Sequence, residues 1–224
     1  MPVLPPSMFS FFTALAAHNN REWFDAHKPE FKALEQQVKQ WGEALKDQMN
    51  THNSIDRFKL FRIYRDVRFS KDKTPYKTHF GLTWHRTKPH YRGGYYLHIK
   101  PGDCFLAAGF WDPHKDDLFR IRKELEVDAE SLCTLLKEPQ FVKTWGGLQG
   151  EELKTAPKNF DKDHPAIDLI RKKQYLFVAP LSEEQVVAPD FIQTVDAAFV
   201  TLRPVLDYFT EVLTTDLNGV SLLE

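Results

Sequence analysis

The segment from Arg62 to Lys77, RIYRDVRFSKDKTPYK, concentrates the side chains best suited to bind an anion. Between Arg57 and His79, eight lysines and arginines stand against two aspartates, a local balance of +6. The formal net charge of the whole chain is −1, so the remainder balances at −7. Arginine donates two parallel hydrogen bonds to carboxylate or phosphate, and lysine adds a point charge. The pattern predicts an anion-binding surface on a mildly acidic body.

The candidate site residues take two roles. Asp66 and Asp72 either orient the neighbouring cations or act as the catalytic general base. Arg122 and Arg171 lie beside apolar helix positions, where each either completes the anion site or bridges to a core carboxylate, and both outcomes stay open. The predicted ligand-binding residues inside the segment are cations and one phenol: Arg62, Arg65, Arg68, Lys73, Tyr76 and Lys77.

Three functions fit this composition. The first is a binding or enzymatic domain for a phosphorylated or carboxylated small molecule. The second is a nucleic-acid-binding module in which Phe69, Tyr76 or Trp84 stacks on bases, a hypothesis that the near-neutral total charge weakens. The third is a scaffold that presents the basic segment to an acidic protein. A purely structural role is the remaining alternative, in which the cations protect a sheet edge or pair with acidic helices.

The motifs of common cofactor sites do not occur in the sequence. It contains no GxxxxGK[ST], GxGxxG or HExxH pattern, so no cofactor is identified and no metal ligand is predicted. Four histidines would have to converge by folding alone to bind a metal: His79, His85, His98 and His114.

The basic segment is expected to lie on a strand. Alternation of apolar and polar residues from Leu60 to Ser70 places Phe61, Ile63, Val67 and Phe69 on an inner face and Arg62, Tyr64, Asp66 and Arg68 on an outer one. Pro75 then marks a loop. THFGLTWH predicts the next strand, YYLHIKPGDCFLAAGFW predicts two strands joined at Pro101-Gly102-Asp103, and QYLFVAPLS predicts another.

Helices are predicted before and after these strands. A short helix over SMFSFFTALAAHNN precedes a longer one, in which apolar residues recur every three or four positions: Phe31, Leu34, Val38, Trp41, Leu45 and Met49. Further helices are expected over PHKDDLFRIRKELEV, DAESLCTLLK with Asp128 as its cap, PAIDLIRKK, and about 189–214. The sequence thus predicts an α+β fold, a single domain over residues 1–224. Its mainly antiparallel sheet of four or more strands packs with N-terminal and C-terminal helices.

The compartment is expected to be the cytoplasm. Cys104 and Cys133 lack CxxC spacing, the N-terminus lacks the basic start of a signal peptide, and no apolar run reaches eighteen residues. We therefore expect a soluble protein without a membrane partner.

Five motifs in order, NNREWF, RIYRDVRFSKDKTPYK, GGYYLHIKPG, GFWDP and LKTAPKNFDKDHPAIDLIRKKQ, resemble the bacterial and fungal family known as domain of unknown function 2461. The resemblance spans roughly Met8 to Leu213. It implies one family-defining domain with these motifs as its landmarks, and it carries no activity, ligand or catalytic residue over to this chain.

Overall fold

A computed structural model describes residues 1–216 and 218–223 as eight helices and a five-stranded sheet. The helices are α1 (Ser7–Ala17), α2 (Arg21–Met49), α3 (Lys115–Val127), α4 (Glu130–Lys137), α5 (Pro139–Trp145), α6 (Ile167–Ile170), α7 (Glu183–Val186) and α8 (Phe191–Thr214). The strands are β1 (Ile55–Leu60), β2 (Phe80–Arg86), β3 (Gly94–Ile99), β4 (Cys104–Phe110) and β5 (Tyr175–Leu181).

The sheet is antiparallel with the strand order β1-β2-β3-β4-β5, so β1 and β5 are its edges. Helices occupy both ends of the chain, and the predicted α+β fold is confirmed. The chain divides into two compact units. As far as their residues are described, the first unit comprises 1–84, 96–106 and 180–196, and the second comprises 85–95, 107–179 and 197–224. The single domain over 1–224 stays a prediction.

The core of the first unit is aromatic, and helix α2 supplies much of it. The apolar stripe predicted for this helix is buried along its whole length, and Asn20 caps the helix by accepting a hydrogen bond from the Trp23 amide. Phe80 on β2 contacts Phe12 and Phe31, with ring centroids 4.8 and 5.9 Å away. These contacts hold β2 against α1 and α2.

Strand β1 is seated directly on α2 at a glycine. A Cβ atom built on Gly42 would lie 2.1 Å from Cζ of Phe58, so the Phe58 ring occupies the space of a side chain. The same ring stacks on Trp84 at 5.4 Å, and the Trp84 indole donates a 3.0 Å hydrogen bond to the Gly42 carbonyl. The helix thereby fixes the strand that leads into the basic segment.

In the second unit, α8 supplies the core. Phe199 packs on Tyr95 and Trp145, and Phe209 packs on Phe110 and Tyr175. Within the part of the chain that the structure describes, no helix is long and apolar enough to cross a lipid bilayer.

The prediction of a strand from Leu60 to Ser70 is wrong. Strand β1 ends at Leu60, and only one isolated antiparallel bridge follows, between Tyr64 and Tyr76. Arg65 donates its amide proton to the Pro75 carbonyl at 2.9 Å, but proline has no N–H to return the bond, so the ladder stops there. The exposed row of Arg62, Tyr64, Asp66 and Arg68 is therefore part of a loop and not of a strand.

Other local predictions also need correction. Phe69, expected on the inner face, is 96% exposed at the tip of the loop. The helix expected over PAIDLIRKK is only the four residues of α6. Ala129, one residue after the expected Asp128, is the N-cap of α4, although Asp128 accepts bonds from the Glu130 amide and the Ser131 hydroxyl. The strands predicted after Pro75 are confirmed as β2 to β5.

Candidate anion-binding site

At the tip of the basic segment, residues 65–74, cationic side chains form hydrogen bonds to acceptors of the same loop. Arg68 donates from Nε and Nη2 to both carboxylate oxygens of Asp66, at 2.9 and 2.7 Å. Arg65 donates to Asp72 and to the Thr74 hydroxyl, and Lys73 donates to the Val67 carbonyl at 2.9 Å. Three of the predicted ligand-binding cations therefore already have acceptors within the tip.

The two aspartates predicted as orienting groups or general bases are the acceptors in these pairs. The hydrogen bond from Arg65 is the main cause that lowers the pKa of Asp72 to about 2, and Thr74 contributes further. The bonds from Arg68 likewise lower the pKa of Asp66, with a smaller contribution from the charge of Arg62. A carboxylate with a lowered pKa is a weak base near neutral pH, so these contacts suit orientation better than proton abstraction.

Tyr76 anchors the loop to the helices. It is 4% exposed, and its ring stacks on Phe24 with 4.1 Å between centroids. Its backbone is held on both sides by Asn19, whose amide nitrogen donates to the Tyr76 carbonyl and whose side-chain oxygen accepts from the Tyr76 amide. Burial is the main cause that raises the pKa of the Tyr76 phenol.

Arg122 and Arg171 belong to the second unit and have partners there. Arg122 donates to the carbonyls of Ile170 and Lys172 at 2.8 and 2.9 Å, and burial lowers its pKa. Arg171 forms ion pairs with Asp168 at 2.8 Å and Glu152 at 3.6 Å. The observed partners of Arg122 are thus backbone carbonyls. Those of Arg171 are two carboxylates at the surface and not in the core.

A second group of cations lies at the base of the segment, where it leaves β1 and returns to β2. Lys59 and Lys77 place their Nζ atoms over the Phe61 ring, 5.0 and 5.3 Å from its centroid. Burial, followed by the charges of Arg62 and Lys59, lowers the pKa of Lys77. No carboxylate of a described residue forms an ion pair with Lys59, Arg62 or Lys77. We call these three residues the cation cluster.

Beside the cation cluster runs a row of five rings on the same unit. Phe61 lies 6.3 Å from Tyr96, which lies 6.0 Å from Phe105; Phe105 stacks on His98 at 4.8 Å, and His98 lies 4.2 Å from His79. On β3 and β4, the residues next to these rings in the sequence are fully buried in the core: Leu97, Ile99 and Leu106. We call Phe61, Tyr96, Phe105, His98 and His79 the ring row.

The histidines of the ring row are poor cations. Burial is the main cause that lowers the pKa of His79 to about 4, and the nearby His98, Lys77 and Lys100 lower it further. Burial is also the main cause that lowers the pKa of His98 and raises that of Tyr96 to about 12. Near neutral pH this part of the face thus presents neutral imidazoles and a protonated phenol. The Tyr96 hydroxyl is hydrogen-bonded to Nδ1 of His98 at 2.9 Å.

Of the predicted ligand-binding residues, the structure brings Arg62 and Lys77 together and adds Lys59 and the ring row, which sequence reasoning missed. A signal was present: Tyr96 and His98 alternate with the aliphatic Leu97 and Ile99 on β3, and Phe105 follows across the Pro101-Gly102-Asp103 turn. Among residues 1–216 and 218–223, no three His, Cys, Asp or Glu side chains are grouped so as to hold a metal ion.

Comparison with known protein families agrees with the motifs of the sequence. A family model described as "Conserved hypothetical protein (DUF2461)" matches residues 7–208 of the 224, which confirms the resemblance seen in those motifs. No curated protein and no solved structure matches the chain.

Proposed function

This chain belongs to the DUF2461 family, and we propose that it binds an anionic ligand, phosphorylated or carboxylated, at the cation cluster. The observation that carries the proposal is that Lys59, Arg62 and Lys77 gather around one ring and form no ion pair with a described residue, whereas Arg65 and Arg68 at the tip are each paired with an aspartate. The Arg62 guanidinium supplies a planar two-donor fork, and the two ammonium groups supply point charges around one ring.

Gathering three like charges in the cation cluster has an electrostatic cost. Lys77 is partly buried, and burial, Arg62 and Lys59 each lower its pKa and so disfavour its charged form. Bringing a carboxylate or phosphate into the cluster reverses the sign of that local interaction, because the anion attracts all three groups. The cluster is therefore better stabilised when occupied than when empty.

The phosphate backbone of a nucleic acid is the second candidate. The partly exposed rings beside the cations favour it, because sequence-tolerant single-strand binding combines basic side chains with aromatic side chains that stack on bases. It predicts affinity that falls steeply as salt rises, since each neutralised phosphate releases counterions.

The proposal is tested by thermal and isothermal titration with inorganic phosphate, ribose 5-phosphate and succinate. Wild type, Lys59→Ala and Lys77→Ala are compared with Lys71→Ala, which removes the same charge from an exposed residue of the tip. A ligand at about 100 times its dissociation constant should stabilise the wild type by about 2.7 kcal/mol.

We expect the affinity to fall about tenfold or more in Lys59→Ala and Lys77→Ala, and to be retained in Lys71→Ala. Equal losses in all three variants would reduce the effect to bulk charge and contradict a site at the cluster. Absence of any shift in the wild type would remove the proposal and leave the acidic-protein partner as the hypothesis to test.

A further inference from the structure

We propose that the anion carries a planar aromatic ring: the cation cluster binds a nucleotide phosphate, and the ring row stacks on the base. This inference rests on the proposed function, because it names the ligand class of the same site. The Phe61 ring links the two groups, because both lysines lie over it and it contacts Tyr96 edge-to-face. A phosphate at the cluster therefore places the rest of the ligand next to the ring row.

The ring row is suited to stacking by its composition and exposure. Tyr96 on β3 and Phe105 on β4 are partly exposed, as are Phe61 and His79 in the loop between β1 and β2, whereas Leu97, Ile99 and Leu106 on β3 and β4 are buried. The solvated face of an antiparallel sheet usually carries polar residues, but here four partly exposed positions carry aromatic rings. A planar ring gains contact with such a surface without requiring a particular base.

Close approach to the row is assisted by Gly81 on β2. The Tyr96 hydroxyl occupies the position beside this glycine, 2.8 Å from where a Cβ atom would lie. Because residue 81 has no side chain, Tyr96 leans across β2 and joins the row to Phe61 instead of standing away from it. The glycine thus lets the Tyr96 ring reach the edge of the Phe61 ring, so the five rings form one contiguous group.

The polar atoms of the row match the edge of a base. Tyr96 and His98 satisfy one another through the hydroxyl and Nδ1, while no described residue forms a hydrogen bond to either ring nitrogen of His79. A neutral imidazole provides one donor and one acceptor, which are the two functions that base edges present. Aliphatic anions such as sugar phosphates and dicarboxylates would use the cation cluster and leave the ring row without contacts.

The test compares adenosine 5′-monophosphate with ribose 5-phosphate, which differ only by the base, by isothermal titration. We expect the nucleotide to bind the wild type about tenfold more tightly, the scale of one stacked base. Tyr96→Leu and Phe105→Leu should abolish that difference while leaving the affinity for ribose 5-phosphate unchanged. Lys59→Ala should weaken both ligands equally. Phe69→Leu is the matched control, because it removes a ring from the exposed tip outside the row.

A measurement on the wild type alone makes the test independent of whether the ring variants fold. Stacking moves the H2 and H8 proton resonances of the bound nucleotide upfield through the ring currents of the protein. An upfield shift with tighter nucleotide binding supports the proposal. Equal affinities of the two ligands without that shift would overturn it and leave anion binding intact, whereas failure of both ligands to bind would overturn both proposals.

A single-stranded tetranucleotide identifies the source of the base. Binding more than about tenfold tighter than the mononucleotide, and weakening as salt rises, indicates a strand as the natural ligand. Equal affinity of the two indicates a free nucleotide. Both outcomes support recognition of a base with its phosphate.

Discussion

The base and the tip of the basic segment carry the same residue types in different electrostatic states. At the tip, Arg65 and Arg68 are each joined to an aspartate of the same loop. At the base, Lys59 and Lys77 share an aromatic ring and have no ion-pair partner among the described residues. The pairing at the tip is local in the sequence, because Asp66 lies two positions from Arg68 and Asp72 lies seven positions from Arg65.

The difference shows that the density of charge along a chain does not reveal which cations are paired with carboxylates. The tip holds three of the five cations that the sequence predicts as ligand-binding within the segment, and both arginines among them are paired with aspartates. The base holds fewer cations, and two strands and a loop are needed to bring them together. Compensation by neighbouring carboxylates therefore separates structural from available charge better than the number of cations does.

The largest expected effect concerns the anchor of the base. Tyr76→Ala should lower the free energy of unfolding by about 3 kcal/mol, because it removes a buried ring stacked on Phe24. Tyr64→Ala, on the other side of the same bridge, should cost less than about 1 kcal/mol, because its ring is 48% exposed. Urea denaturation measures both values. Similar losses would mean that the loop is held equally from its two sides.

A smaller effect is expected from acid at the ring row. The pKa of His79 is about 4 in the folded protein and 6.5 when unperturbed, so between these values the unfolded chain binds the extra proton. The free energy of unfolding contributed by His79 is complete above about pH 6.5 and is lost as the pH falls towards 4. We expect about 1 to 2 kcal/mol, allowing for partial exposure of the side chain.

Denaturation curves between pH 7 and pH 4 check this expectation in the wild type and in His79→Asn, whose dependence on pH should be shallower. His114→Asn serves as the control, because His114 is exposed and lies outside the ring row. An unchanged pH dependence in His79→Asn would contradict a neutral, buried histidine at this position.

The repulsion within the cation cluster should be visible in the response to salt. Sodium chloride screens like charges, so it should stabilise the wild type more than Lys77→Gln, by about 0.5 kcal/mol between low and high salt. Lys73→Gln should respond like the wild type, because Lys73 donates to the Val67 carbonyl at the tip. Thermal denaturation at several salt concentrations measures the salt response of the three proteins. A response of Lys73→Gln as small as that of Lys77→Gln would contradict a difference in repulsion between the cation cluster and the tip.

The smallest effect belongs to the ion pair of the tip. The pKa of Asp72 is about 2 in the folded protein and 3.8 when unperturbed, so its contribution is present above about pH 3.8 and is lost as the pH falls towards 2. Asp72→Asn should therefore reduce acid sensitivity only within that window. The acid-unfolding midpoint of the variant, compared with that of Asp112→Asn, gives the measurement; a change at neutral pH alone would point to the lost Thr74 contact instead.

The sequence predicted those elements whose periodicity is local. The stripe on α2 and the alternation in β2 to β5 depend on residues a few positions apart, and both are confirmed. The residues after Leu60 show the expected alternation of exposure, yet they do not continue the strand. Pro75 has no N–H to donate back to Arg65, so the pairing of the two chain segments ends there. Alternation alone does not distinguish a strand from an extended loop.

The candidate site was less accessible to sequence reasoning for a related reason. Lys59, Lys77 and Tyr96 come together only through the register of β1, β2 and β3, which composition does not specify. The aspartates beside Arg65 and Arg68 were visible in the sequence, but their pairing became known only from the loop conformation.

The seating of Phe58 on Gly42 means that the residue allowed at position 42 depends on the residue at position 58. A methyl group at position 42 would overlap the Phe58 ring, so a side chain at position 42 requires a smaller residue at position 58 or a displaced strand. Strand β1, which carries Lys59 next to that ring, would be displaced by an uncompensated change at Gly42. The absence of a side chain inside helix α2 is thereby linked to the placement of a surface lysine on β1.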